Sequence, residues 1–237
     1  MPADAQKSDG VAPLSMVESN KDDDIDDRSS FFYYFAYGSN LWSQRIRLSN
    51  PTAEFVAVGF LPGFSYGFAG PVTQGWCGCS ATIWPAPDYC TPIDGLQTVT
   101  PIVSPLMKKY KENGVYGVIW RLGKENSATL DAQESGYVKI DVDVNLVVDG
   151  RSQKSVSCRT YVMSAATIAS KSGVVVSTAE ATKDFFGKPS PIYHRVIISG
   201  ALEFQLPDNY VKFLNSFQNN GYSGPVKIAT DETKFFD

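Results

Sequence analysis

The segment Tyr33-Tyr34-Phe35-Ala36-Tyr37-Gly38-Ser39-Asn40-Leu41 decides how this 237-residue chain is read. Phe31 to Ala36 are all aromatic or apolar, as a strand covered on both faces would be. Gly38 can take backbone angles closed to other residues and lets a ligand approach the main chain. Ser39 and Asn40 are good helix N-caps. Leu41 to Leu48 can then form about two helical turns. A strand running into a helix start leaves N–H groups aimed at one pocket, which suits an anion. Gly-Ser-Asn is also ordinary turn chemistry, so the residues alone leave both readings open.

Working outward, Glu54 to Leu61 and Phe64 to Ala69 read as strands separated by Pro62-Gly63, and Gly78 to Trp84 as a third. Residues 85–113 hold five prolines (Pro85, Pro87, Pro92, Pro101, Pro105) and read as a surface insertion, being longer than an ordinary loop. Val115 to Trp120 is a near-continuous buried strand. Asn126 or Ser127 can cap a helix running through Leu130-Asp131-Ala132-Gln133-Glu134. Val138, Ile140, Val142, Val144, Leu146 and Val148 alternate with polar residues, predicting a long strand with one wet face. Asp149-Gly150 signals a hairpin whose return strand is Ser155 to Met163. Residues 164–188 are expected to connect, with strand character at Val174-Val175-Val176. Pro189 and Pro191 open a helix from Ile192 to Glu203, and a last one runs from Pro207 through Phe217, ended by Gly221. Strands crowd the first part and helices follow, which argues for an α+β fold: a strongly curved mixed sheet with helices outside it.

Residues 1–30 carry eight acids against three bases and no aromatic residue. They read as a disordered acidic tail, leaving a domain over 31–230 that is close to neutral. No basic stripe suggests nucleic acid, and no apolar run reaches membrane-spanning length. The N-terminus has no hydrophobic signal core. Four cysteines (Cys77, Cys79, Cys90, Cys158) do not make a disulfide framework in a chain this long and read as reduced thiols of the cytoplasm. Cys77 and Cys79 would share one face of a strand, as core thiols rather than metal ligands. His194 stands alone beside Arg195 with no nucleophile elbow, and reads as a surface residue.

The run from Tyr34 to Leu41 resembles the signature of the γ-glutamylcyclotransferases, which turn a γ-glutamyl amino acid into 5-oxoproline and a free amino acid. Relatives acting on γ-glutamylamines usually carry Tyr-Gly-Thr-Leu here and glutathione-specific ones Tyr-Gly-Ser-Leu, so Asn40 favours the first group. The resemblance implies a small closed β-barrel, a small-molecule γ-glutamyl substrate cradled by Tyr34, Phe35, Ala36, Tyr37, Gly38, Ser39 and Asn40, and no cofactor or metal. Leu130 to Glu134 resembles the family's Leu-Asp-x-x-Glu, whose Glu is the general base. That assigns the catalytic role to Glu134, with Asp131 second. Without the resemblance, a Glu at a helix end reads as solvated surface. Tyr137 matches a pocket tyrosine, although Ser135-Gly136 is a shorter link than relatives have. Pro189-Ser190-Pro191-Ile192-Tyr193 resembles the Pro-Ser-x-x-Tyr segment, which assigns Tyr193 to substrate contact; a core aromatic is the alternative. Members are commonly homodimers, so a homodimer is the expected partner state, with no nucleic acid and no membrane.

The chemistry fits these residue types. The α-amine of a γ-glutamyl compound can close on its own γ-carbonyl, where intramolecular geometry is worth an effective molarity of up to about 10⁵–10⁸ M. No serine or cysteine nucleophile is needed. One carboxyl can serve as base and acid if burial lifts its pKa from about 4.3 toward neutrality. Other acceptors (γ-glutamylamines, glutathione) and a γ-glutamyl-binding module without turnover remain the alternatives.

Overall fold

In the computed structural model, the described residues are 30–86, 113–148, 150–164, 167 and 187–226. The tail over 1–29, most of the proline-rich stretch (87–112), the strand expected at Val174-Val175-Val176 and Cys90 lie outside them.

Seven strands form among the described residues: β1 (Phe31–Ala36), β2 (Glu54–Pro62), β3 (Phe64–Ala69), β4 (Ser80–Pro85), β5 (Gly114–Gly123), β6 (Tyr137–Val148) and β7 (Arg151–Met163). Among the described residues, four α-helices accompany them: α1 (Ser43–Ser49), α2 (Ser127–Gln133), α3 (Pro191–Glu203) and α4 (Asp208–Asn215). Five strands close a barrel in the order β1-β5-β2-β6-β7. Its neighbours are antiparallel except at the seam, where β7 meets β1 parallel with Tyr34 opposite Arg159. The expected mixed barrel is therefore present. β3 and β4 pair as a separate two-stranded sheet.

Alternation places Ile140, Val142 and Val144 inside the barrel and Lys139, Asp141 and Asp143 in solvent. A register shift between Asn145 and Val147 then ends that regularity. Phe35, Val118, Ile119, Trp120 and Val144 are fully buried in the core. Helices α3 and α4 lay Tyr193, Ile197, Tyr210 and Phe213 into the same core. Ser190 caps α3 by accepting from the Tyr193 N–H at 3.2 Å, and Pro191 occupies its first turn.

Several expectations change. Cys77 sits in a turn at φ 53°, so Cys77 and Cys79 do not share a strand face; β4 starts only at Ser80. β7 starts at Arg151, four residues before the expected return strand. α4 ends at Asn215, well before Gly221. His194 is half-buried, and its Nε2 lies 2.8 Å from the Leu214 carbonyl, tying α3 to α4.

Candidate active site

After β1 the chain makes a 3-10 turn, Ser39–Leu41, closed by the Leu41 N–H donating to the Gly38 carbonyl at 3.0 Å. The amides of Gly38, Ser39 and Asn40 precede that bond and have no partner within the turn. Trp42 is extended, and α1 begins only at Ser43. Neither Ser39 nor Asn40 caps a helix with its side chain. Instead the Asn40 carboxamide is buried and turned across the barrel end, donating to Glu134 Oε1 and to the Tyr34 hydroxyl, each at 3.1 Å. The Trp120 indole donates to the Asn40 carbonyl at 3.0 Å and pins the loop from below. Gly38 has φ −108°, an angle open to other residues. Its use is spatial: a Cβ there would lie 3.5 Å from the Tyr193 hydroxyl and 3.6 Å from Ala81 Cβ, inside the cavity.

That cavity has about 310 Å³ of space, including its open mouth. Tyr34, Tyr37, Gly38, Ser39 and Asn40 form one side of it, while Glu134, Tyr137, Tyr161, Tyr193 and Ala81 complete it. Tyr37 donates to the Tyr161 carbonyl. Tyr137 donates to the Ala81 carbonyl at 2.7 Å, and Tyr193 accepts from the Ala81 N–H at 3.1 Å. Phe35 and Ala36, expected at the substrate, do not line the cavity. Both are fully buried, and Phe35 offers Thr160 only its carbonyl, at 2.9 Å.

Glu134 follows the last turn of α2, its N–H donating to the Leu130 carbonyl at 3.0 Å. As a residue it is half-buried, but its carboxyl points into the cavity and Oε1 receives Asn40 and, at 3.5 Å, Tyr34. Loss of water raises its pKa from 4.5 to about 7; the Arg45 charge and the Tyr34 hydroxyl offset only part of this. Burial also pushes Tyr34, Tyr37 and Tyr137 well above the usual range and Tyr193 up to about 12, so these phenols stay neutral donors. Asp131 is different. It meets Lys139 at 3.1 Å and receives the Tyr161 hydroxyl, and these contacts outweigh its partial burial and hold its pKa below the ordinary value. It stays ionised outside the cavity. The short Ser135-Gly136 link still delivers Tyr137: Gly136 takes φ +95° and the Tyr137 N–H donates to the Glu134 carbonyl at 3.0 Å.

A family model described as the AIG2-like family matches residues 114–214. The gamma-glutamylcyclotransferase of Bos taurus is 33% identical over 204 residues, covering 85% of this chain and 86% of the bovine protein. The chain belongs to the γ-glutamylcyclotransferase family. The Homo sapiens gamma-glutamylcyclotransferase is 32% identical over the same shares. A solved gamma-glutamyl cyclotransferase structure is similar with TM-score 0.61 at 31% identity, covering 86% of this chain and 96% of that one.

Three residues of this γ-glutamylcyclotransferase-family site escaped sequence reasoning. Tyr161 and Ala81 come from β7 and β4, where nothing local distinguishes a cavity-facing residue from a core one. Arg45 is buried, with its guanidinium 5.8 Å from the Trp76 ring, and acts on Glu134 through space. An arginine among Ser43, Gln44 and Arg47 reads as a wet helix face, and only the fold reveals that it points inward.

Proposed function

We propose that the chain is a γ-glutamylcyclotransferase that converts a γ-glutamyl amino acid into 5-oxoproline and the free amino acid, with Glu134 carrying the proton. The observation behind this reading is a desolvated carboxyl, with pKa raised to about 7, across one cavity from the Gly38–Asn40 loop. At neutral pH such a group is split between its two forms and can take and return a proton. Glu134 removes a proton from the substrate α-ammonium. The freed amine attacks the γ-carbonyl, the five-membered lactam closes, and the C–N bond to the departing amino acid breaks. Glu134 then protonates that amine as it departs. The lactam nitrogen passes its remaining extra proton to the freed amine, which leaves as an ammonium, and Glu134 is back in its starting state.

The substrate-binding role falls to Tyr34, Tyr37, Gly38, Ser39, Asn40, Tyr137 and Tyr193. Backbone amides of the loop suit the α-carboxylate or the developing oxyanion. The neutral phenols fix orientation and limit water, whose attack would yield glutamate instead. Cytoplasmic residence and a homodimer belong to the same reading; free thiols at Cys77, Cys79 and Cys158 favour the first and family resemblance the second.

The test is release of 5-oxoproline from γ-glutamyl-alanine, γ-glutamyl-ε-lysine and glutathione. The expected outcome is turnover of γ-glutamyl-alanine above the other two. Glu134→Gln should lower kcat by at least about 10²-fold, in the range of lost acid–base catalysis, while substrate still binds. Near-normal turnover by that variant would remove Glu134 from the role. Binding without release by the unaltered chain would favour a non-catalytic γ-glutamyl-binding module.

A further inference from the structure

We infer that Gln133 is a positioning residue: through a run of amide hydrogen bonds starting at the Ile46 carbonyl, it holds the Asn40 carboxamide so that its NH₂ faces Glu134. The inference deepens the proposed function and rests on Glu134 being the proton carrier.

The polarity of the run is set at its far end. The Ile46 carbonyl can only accept, and Asn50 Nδ2 donates to it at 3.3 Å. The same Nδ2 donates to Gln133 Oε1 at 3.4 Å. Gln133 must then present its NH₂ on its other side, where Nε2 donates to Asn40 Oδ1 at 2.9 Å. Asn40 in turn has only donors left for Glu134 Oε1 and the Tyr34 hydroxyl. Reversing the chain would point Asn50 Oδ1 at a carbonyl oxygen. The present direction instead leaves the buried Asn50 Oδ1 without a hydrogen-bond partner among the described residues. An unmet acceptor is tolerated there, which argues that the direction matters.

Without Gln133, the Asn40 amide could turn over. Its Oδ1 would then accept from Tyr34 and from a protonated Glu134, and the carboxylate would lose its donor. With Gln133 in place, both donors converge on Oε1, and among the described residues none reaches Oε2. Oε2 is therefore the oxygen for the travelling proton. Tyr34, bonded to both Asn40 and Oε1, shifts with Asn40, whereas the other groups acting on this carboxyl do not depend on Gln133: Arg45 from α1, Tyr37 from the loop after β1, Tyr137 from β6 and Tyr193 from α3.

The test is a titration of the full chain labelled with ¹³C at glutamate carboxyls, the Glu134 signal being assigned by its loss in Glu134→Gln. In Gln133→Met, which keeps the length and removes both polar ends, the Glu134 titration should move up by about one pH unit, because the charged form loses a donor. The acid limb of kcat/KM for γ-glutamyl-alanine should move with it. In Gln133→Glu, Asn40 would turn its NH₂ toward residue 133, as Asn50 already does, and the upward shift should be larger. The new charge pushes the same way, so the methionine variant decides. A purely structural role would lower the melting temperature and leave the titration in place; wild-type titration in both variants overturns the inference. Absence of 5-oxoproline release from the unaltered chain would defeat the proposed function, while the carboxyl titration would still judge the relay.

Discussion

Glu134 ends α2 with its carboxyl among Asn40, Tyr34 and Tyr137, and its chemistry has a thermodynamic cost. Its pKa is near 4.5 in water and about 7 in the fold, so the folded chain holds this proton more tightly than the unfolded one. Stability from this group is fully present below about 4.5 and is lost as pH rises through 7. With an open cavity mouth softening the burial, the loss amounts to about 1–3 kcal/mol above pH 7. Glu134→Gln should therefore melt above the wild type at pH 8 and alongside it near pH 4.5, in paired thermal unfolding curves. An identical offset at both pH values would show that the carboxyl is not desolvated. The same value places the acid limb of kcat/KM near pH 7. At this scale the sequence was partly legible. Resemblance singled out Glu134, Tyr137 and Tyr193, but the use of Asn40 was not readable. Its amide looked like a helix cap because caps are local, whereas two of its three actual partners, Gln133 and Glu134, are 93 and 94 residues away.

Among the elements, α3 backs the signature loop along its length. Its first turn carries Tyr193 to the cavity, and at its C-terminal end Glu203 accepts the Ser43 N–H at 3.0 Å, standing in for the cap that α1 lacks. Between them, Gly200 lets the helix touch the loop backbone: a Cβ there would lie 2.5 Å from both Leu41 C and Trp42 N. Helix propensity alone would make Gly200→Ala stabilising by about 0.5–1 kcal/mol. The clash is with the Leu41–Trp42 peptide of the loop, main chain that cannot rotate away, and overpacking of that kind costs about 1–3 kcal/mol, so the sign should reverse. Gly200→Ala should lower the denaturation midpoint and reduce turnover together, since α3 must move off the loop. A more stable and fully active variant would show that the helix has room. The helix itself was legible from Pro191 and its apolar spacing. The close approach was not, because a single glycine in a helix does not announce what lies against it.

For the whole molecule, strand positions were readable from alternation, whereas closure was not. Antiparallel neighbours such as β6 and β7 follow from one hairpin, but the parallel β7–β1 seam joins residues 125 apart and came only with the family resemblance. Among the described residues, every one lining the cavity lies at Tyr34 or beyond. Removal of residues 1–29 should accordingly leave 5-oxoproline release within about twofold of the full chain, assayed side by side; a large loss would give the tail a part in the site.

The parallel seam has a kinetic meaning as well. Tyr34 and Tyr161 stand on the two strands that meet there, their rings 5.9 Å apart edge to face. Long-range pairing is the slow part of building a sheet, since ring closure in the chain precedes any gain from contacts. A nascent chain can acquire the β6–β7 hairpin early and still lack any place for a γ-glutamyl group. Ligand competence on refolding then marks the joining of the first and last barrel strands, later than the bulk of the secondary structure.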